Sequence, residues 1–181
     1  MARERLKKIP HFAQIVNPRY NPRKILTSLF YRMTIEELLH HLEQNTQLTV
    51  LNSPFFYTGK ARVVLDGGDT RVWLYGEDGD VLAISPDAEE IVSFETIDTD
   101  VEPQDGMVLY QGNEFEFSYE DNGAVTETEG AVGIEEGDSY GINDYESDAG
   151  EIVRFITNHN TGDRQALFGK IVVEEDILPA A

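Results

Sequence analysis

The chain has 181 residues, enough to bury a core of its own, and no cysteine, which removes disulfides, zinc–thiolate sites, iron–sulfur clusters and thiol nucleophiles together. Its net charge is −20, and the charge is unevenly placed. Residues 1–32 carry eight basic side chains (Arg3, Arg5, Lys7, Lys8, Arg19, Arg23, Lys24, Arg32) against Glu4, a charge of +7, whereas residues 33–181 carry six basic and 33 acidic residues, −27.

A body so acidic repels phosphate backbones over a Debye length of roughly 8 Å in physiological salt, so nucleic acid is not expected as its partner. Solubility or a salty cytoplasm would select the same acidity, since Lys60 and Lys170 are the only lysines beyond residue 33. No apolar run reaches the roughly 18 residues that a spanning helix needs, and the N-terminus lacks the apolar core of a secretory signal. A cytoplasmic location is expected, with peripheral attachment to a membrane as its variant.

Pro10 and Pro18 bias the first twenty residues toward an extended arm. Asn21 and Pro22 then form a helix start, and Ile25, Leu26, Leu29, Phe30 and Met33 recur at helical spacing, flanked by Arg23, Lys24 and Arg32. Segment 22–32 therefore reads as a basic amphipathic helix. Together, 1–33 form an arm whose Lys7, Lys8, Arg19, Arg23, Lys24 and Arg32 could meet an anionic membrane, a partner or the chain's own acidic body. Thr34 with Glu37 makes a capping box, and Ile35, Leu38, Leu39 and Leu42 line one face of a helix expected to run through Gln44. His40 and His41 are adjacent and so point about 100° apart, the geometry of surface residues rather than of a chelating pair.

From Leu48 the apolar period changes to two. Candidate strands fall at 48–52, 55–58, 60–66, 70–77, 81–85, 90–97, 107–110, 114–119, 124–129, 139–146, 151–158, 164–168 and 170–175. Turn clusters separate them: Asp66-Gly67-Gly68-Asp69, Glu77-Asp78-Gly79-Asp80, Gln111-Gly112-Asn113, Asp121-Asn122-Gly123 and Asn160-Thr161-Gly162-Asp163. This predicts a mainly β chain, an antiparallel sandwich or small barrels, and excludes a doubly wound α/β sheet. The order aromatic, Gly-Ala, aromatic strand, acidic glycine turn, apolar strand runs twice, so two internally repeated halves are expected. Residues 34–100 hold the capped helix and the first β half and 106–178 the second, joined through Thr99–Gly106.

Catalytic motifs are absent: no G-x-S-x-G elbow, no Walker loop, no H-E-x-x-H and no G-x-G-x-x-G. No cofactor is implied and no catalytic residue is nominated. Two constellations remain. Asp144, Glu146, Asp148 and Glu151 around Gly150 offer alternating carboxylates to a hard cation, although the glycine and glutamate spacing departs from an EF-hand, and a solvated acidic hairpin has the same pattern. Trp73, Tyr75, Tyr140 and Tyr145 form an aromatic stripe on the strands, either core or the lining of a ligand pocket.

The stretches Trp73-Leu74-Tyr75-Gly76-Glu77-Asp78-Gly79, Tyr110-Gln111-Gly112-Asn113-Glu114-Phe115, Glu129-Gly130, Asp144-Tyr145-Glu146 and Gly169-Lys170-Ile171 resemble the bacterial domain-of-unknown-function family DUF4178. The similarity covers about residues 48–178. It implies a β-rich fold, no assigned reaction, and a role near membrane-stress and membrane-remodelling components. The expected function is thus an interaction or adaptor module that binds a protein partner or a second copy of itself, with the arm reaching a membrane. The alternative is a small-ligand or cation-binding domain, with an enzyme as its variant, built on the aromatic and acidic patch.

Overall fold

The computed structural model describes residues 32–180. The basic arm through residue 31, including Lys7, Lys8, Arg19, Arg23 and Lys24, and with it all but Arg32 of the expected helix 22–32, lies outside the described residues. Among the described residues no helix is long and apolar enough to cross a membrane.

The capping box forms as its residue types require. Thr34 Oγ1 accepts from the Glu37 amide at 3.2 Å while the Glu37 carboxylate accepts from the Thr34 amide at 2.9 Å, opening helix α1 (Ile35–His40). α1 stops short of the expected Gln44, and the Lys60 ammonium donates to the Leu39 carbonyl in its last turn at 2.9 Å. Leu42 lies past the helix yet stays buried. Thr34→Ala removes one half of the reciprocal cap and is expected to cost about 1 kcal/mol of stability, read from a urea unfolding midpoint shift with an unchanged slope.

Eleven strands follow: β1 (Gln47–Val50), β2 (Ser53–Leu65), β3 (Thr70–Gly76), β4 (Val81–Ser85), β5 (Glu90–Ile97), β6 (Met107–Tyr110), β7 (Asn113–Gly130), β8 (Ser139–Glu146), β9 (Glu151–Asn158), β10 (Arg164–Val172) and β11 (Ile177–Pro179). Of the two expected architectures the strands form the barrel, and a single one. Two meanders, β2-β3-β4-β5 and β7-β8-β9-β10, join through β5 with β10 and through β2 with β7, closing an eight-stranded antiparallel ring. Closure removes the edges that open sheets must protect. β1 and β11 extend the sheet beside the N-terminal part of β2, and β6 extends it beside β7.

Three expected turns or breaks are instead continuous strand, and glycine explains each. β2 runs unbroken through Thr58-Gly59, where the register slips by one residue against β3. A Cβ at Gly59 would lie 2.3 Å from the Glu129 carbonyl oxygen, so glycine there permits the close approach of β7. Asn122-Gly123 is not a hairpin: β7 passes straight through it, and a Cβ at Gly123 would fall 2.8 Å from Val63 Cγ1. Gly169 lies inside β10 beneath the Phe94 ring, at which its Cβ would approach 2.4 Å. By contrast Gln111-Gly112 is a true two-residue hairpin turn, both residues having positive φ (51° and 81°).

Alternation along the strands sends side chains to two environments. Inward, Ala61, Val63, Trp73, Val81, Ala83, Val92, Phe94, Val125, Tyr140, Ile142, Ile156 and Leu167 fill the barrel. Outward, Val72, Leu74, Leu82, Ile84 and Ile91 pack beneath Met33, Leu38, Leu48 and Ile177, so α1, β1 and β11 cover the wall of the first meander. On the second, Tyr145, Val153, Phe155, Ala166 and Phe168 pack under Val108 of β6. These strands are apolar on both faces because each wall has an outer cover.

Candidate functional site

The barrel is not filled to its end. A cavity of about 370 Å³ occupies the end where β3 turns into β4, β7 into β8 and β9 into β10. Trp73 and Tyr75 of β3, Val81 and Ala83 of β4, Phe94 of β5, Tyr140 of β8, Arg154 and Ile156 of β9 and Leu167 of β10 supply its walls. The segment from Ala131 to Ile134 lies over it, and Thr58 Oγ1 holds the start of that segment, 3.0 Å from the Ala131 carbonyl and 3.2 Å from that of Tyr75. Small side chains create the space: Ala83 faces the Trp73 position on the neighbouring strand, and Ala61 faces it from the other side.

One charged pair lies in this apolar interior. Arg154 donates from Nε and Nη2 to the two carboxylate oxygens of Asp144, both at 2.7 Å, and the two residues are 9% and 7% exposed. They are direct cross-strand neighbours on β8 and β9. The guanidinium also stacks on the Phe94 ring at 4.5 Å from its centroid, which in turn rests on Gly169. Two of the five N–H donors serve Asp144, and the guanidinium borders the cavity.

Nearer the mouth the aromatic groups are held by polar contacts. Trp73 and Tyr140 meet edge to face with centroids 5.8 Å apart. The Tyr140 hydroxyl donates to Asp138 at 3.2 Å and accepts from the Asn158 amide at 3.2 Å, and the Asn158 carbonyl oxygen accepts from two amides of the β9–β10 turn. Burial and then the Asp138 charge push the Tyr140 phenol up to about 12. Burial also raises the Tyr75 phenol, with Tyr140 adding to it. Both are neutral hydroxyls at physiological pH.

Asp80, in the β3–β4 turn, has its carboxyl raised above the usual range by burial first and by Asp78 and Glu95 after it. A raised acid favours the folded state when protonated, so the ionised form costs stability that develops as pH rises from the unfolded value near 3.8 through the folded one. Asp80→Asn is therefore expected to raise the melting temperature at pH 7, with the gain vanishing below that window. A gain that persists undiminished at pH 3 would contradict this.

Residues 45–169, well over half of the chain, match the family described as a domain of unknown function, DUF4178. The chain belongs to the DUF4178 family. No curated protein and no solved structure matches it. The family match spans the whole cavity wall, from Thr58 to Leu167.

Of the residues singled out in the sequence, this DUF4178 barrel brings Trp73, Tyr75 and Tyr140 together on the cavity. Tyr145 faces the opposite way, packing edge-on against Phe155 and Phe117 outside the ring, because it sits one residue from the inward-facing Asp144. The four carboxylates disperse: Asp144 pairs with Arg154, Glu151 with Lys170 at 3.2 Å, and Glu146 and Asp148 are exposed at the far turn. Among the described residues no three carboxylates or histidines converge as a metal site. Arg32 pairs with Glu175, and His40 and His41 are exposed. Sequence reading missed Arg154 and Phe94. The signal was present: Ile152-Val153-Arg154-Phe155-Ile156 places one cation in an apolar strand, and a charge there needs a buried partner.

Proposed function

We propose that this chain is a binding barrel that takes a small, largely apolar molecule into the open end of its interior. The observation that carries this reading is the cavity itself: an aromatic and aliphatic wall of Trp73, Tyr75, Phe94, Tyr140, Ile156 and Leu167, set among polar side chains such as Thr58, Thr96, Asn158 and Gln165, and enclosed by strands and the segment from Ala131 to Ile134. Trp73 is the sole tryptophan and lines that cavity, so its emission reports occupancy. Titration with the neutral probe N-phenyl-1-naphthylamine is expected to show saturable one-to-one energy transfer from Trp73. Ala83→Leu, which fills the space opposite Trp73, should weaken it at least tenfold while far-UV circular dichroism is unchanged. Non-saturable transfer, or equal affinity in the filled variant, would reject the reading.

A second reading, an adaptor docking a basic protein partner, is supported by the β6 side of the barrel. There Leu109 is 69% exposed and Phe117 49%, on an acidic body and beside the outer edge of β6, which Gln104 bonds at Met107 and no further strand covers among the described residues. Attachment of the arm to an anionic membrane belongs to this reading and would show as salt-sensitive liposome sedimentation lost on deletion of residues 1–32. The origin of the barrel by duplication is part of our reading too. What supports it is the matching run of four consecutive antiparallel strands in each half.

A further inference from the structure

The cavity's chemistry says more than its size, and the reading developed here rests on the binding-barrel proposal above. Three features of the lining bear on ligand charge. First, the one cationic side chain that lines it among the described residues, Arg154, is already matched by a bidentate carboxylate, so these residues offer an anion a neutral ion pair rather than a net positive charge. Second, the mouth carries carboxylates from two separate turns, Glu77 between β3 and β4 and Asp163 between β9 and β10, with Asp138 beneath the Tyr140 hydroxyl. Third, Tyr75 and Tyr140 stand in the layer next to that rim and Trp73 one layer deeper, and the faces of such rings attract cations.

These features rank ligand classes. A carboxylate entering past Glu77 and Asp163 meets like charge at both turns, a repulsion that salt screens. A neutral apolar molecule gains the walls alone. An organic cation gains the walls, the ring faces and the rim together, and the −27 charge of residues 33–181 raises its local concentration over an anion's. The aliphatic depth of the cavity, Val81, Ala83, Ile156 and Leu167, rules against a fully hydrophilic cation such as a metal ion.

We propose that the ligand is an amphipathic organic amine, its apolar body among Trp73, Ala83, Ile156 and Leu167 and its ammonium group at the mouth between the tyrosine rings and the carboxylates of Glu77 and Asp163. The same skeleton with three end groups tests this. Trp73 emission is titrated with 4-phenylbutylamine, 4-phenylbutan-1-ol and 4-phenylbutyrate at 20 mM and 500 mM salt. The amine is expected to bind at least tenfold more tightly than the carboxylate at low salt, with the alcohol between them and the spread narrowing at high salt. The doubly substituted Glu77→Gln, Asp163→Asn chain, both positions being exposed and the new amide oxygen at 163 still able to accept from the Thr161 hydroxyl, should bring the amine to within about threefold of the alcohol.

Equal affinity of amine and alcohol, or preference for the carboxylate, would overturn the amine assignment and leave the barrel reading standing. Failure of all three to alter Trp73 emission up to millimolar concentration would overturn both. An amine preference that survives the double substitution unchanged would show that the general negative field, and not this rim, holds the cation, and would also overturn the assignment.

Discussion

Arg154→Met alone is expected to destabilise the protein by about 3–5 kcal/mol, because it strands the Asp144 carboxylate in the barrel without a partner. Asp144→Leu alone should cost a similar amount by leaving the guanidinium unpaired on the Phe94 ring. The combined Asp144→Leu, Arg154→Met chain should recover most of that loss. Desolvating two charges offsets their attraction, so volume-matched apolar replacements of both are often neutral or stabilising. For a chain of this length the single variants should melt on the order of 10 °C lower and the double variant within a few degrees of the parent. A double variant as unstable as the worse single would show that the pair is not acting as two mutually compensating charges in a dry interior. If the double variant is instead as stable as expected, the pair adds little net stability, and its place on the cavity wall becomes a matter of what Arg154 offers a ligand.

Gly59→Ala is the second large effect. The added carbon would sit 2.3 Å from the Glu129 carbonyl oxygen and 2.9 Å from the Ala131 nitrogen, both backbone atoms of the strand and loop that close the ring. Backbone cannot swing aside as a side chain does, so β2 and β7 must separate at the mouth of the barrel. The expected cost is about 3 kcal/mol, the upper part of the usual overpacking range, measured by urea unfolding. Amide exchange on β7 from Glu127 to Gly130 should quicken with it. Gly67→Ala serves as the control: nothing lies within 4 Å of its Cβ position, and the change should fall within about 0.5 kcal/mol of neutral or slightly stabilise. Equal effects at the two positions would contradict closure of the ring between β2 and β7.

The strand content was readable from period-two alternation and from the true turns at Gly67-Gly68, Gly79, Gly112 and Gly162, where the chain does reverse. Gly59, Gly123 and Gly169 were not readable in the same way. A glycine between short β-rich stretches marks a turn or a close approach equally well, and only the neighbouring strand, brought in from up to 75 residues away (Phe94 onto Gly169), decides which. For the same reason ring closure was hidden: it depends on β2 meeting β7 and β5 meeting β10, contacts that no local pattern encodes. Three of four aromatic candidates reached the cavity because alternation predicts a face. Tyr145 did not: it lies five residues from Tyr140 on the same strand, so alternation itself puts the two on opposite faces, and with Asp144 meeting Arg154 inside, Tyr145 points out. Around Gly150 the carboxylates go to separate surroundings that spacing does not show: Asp144 is buried on Arg154, Glu151 meets Lys170, and Glu146 and Asp148 are exposed.

The binding account is tested most directly by the indole N–H resonance of Trp73, a single signal in a chain with one tryptophan. On titration with 4-phenylbutylamine this resonance should shift and saturate together with the backbone amides of Tyr75, Phe94, Arg154 and Leu167, all on the cavity wall. Shifts confined to the outer surfaces, around Leu109 and Phe117 or around α1, with the indole signal unmoved, would contradict it.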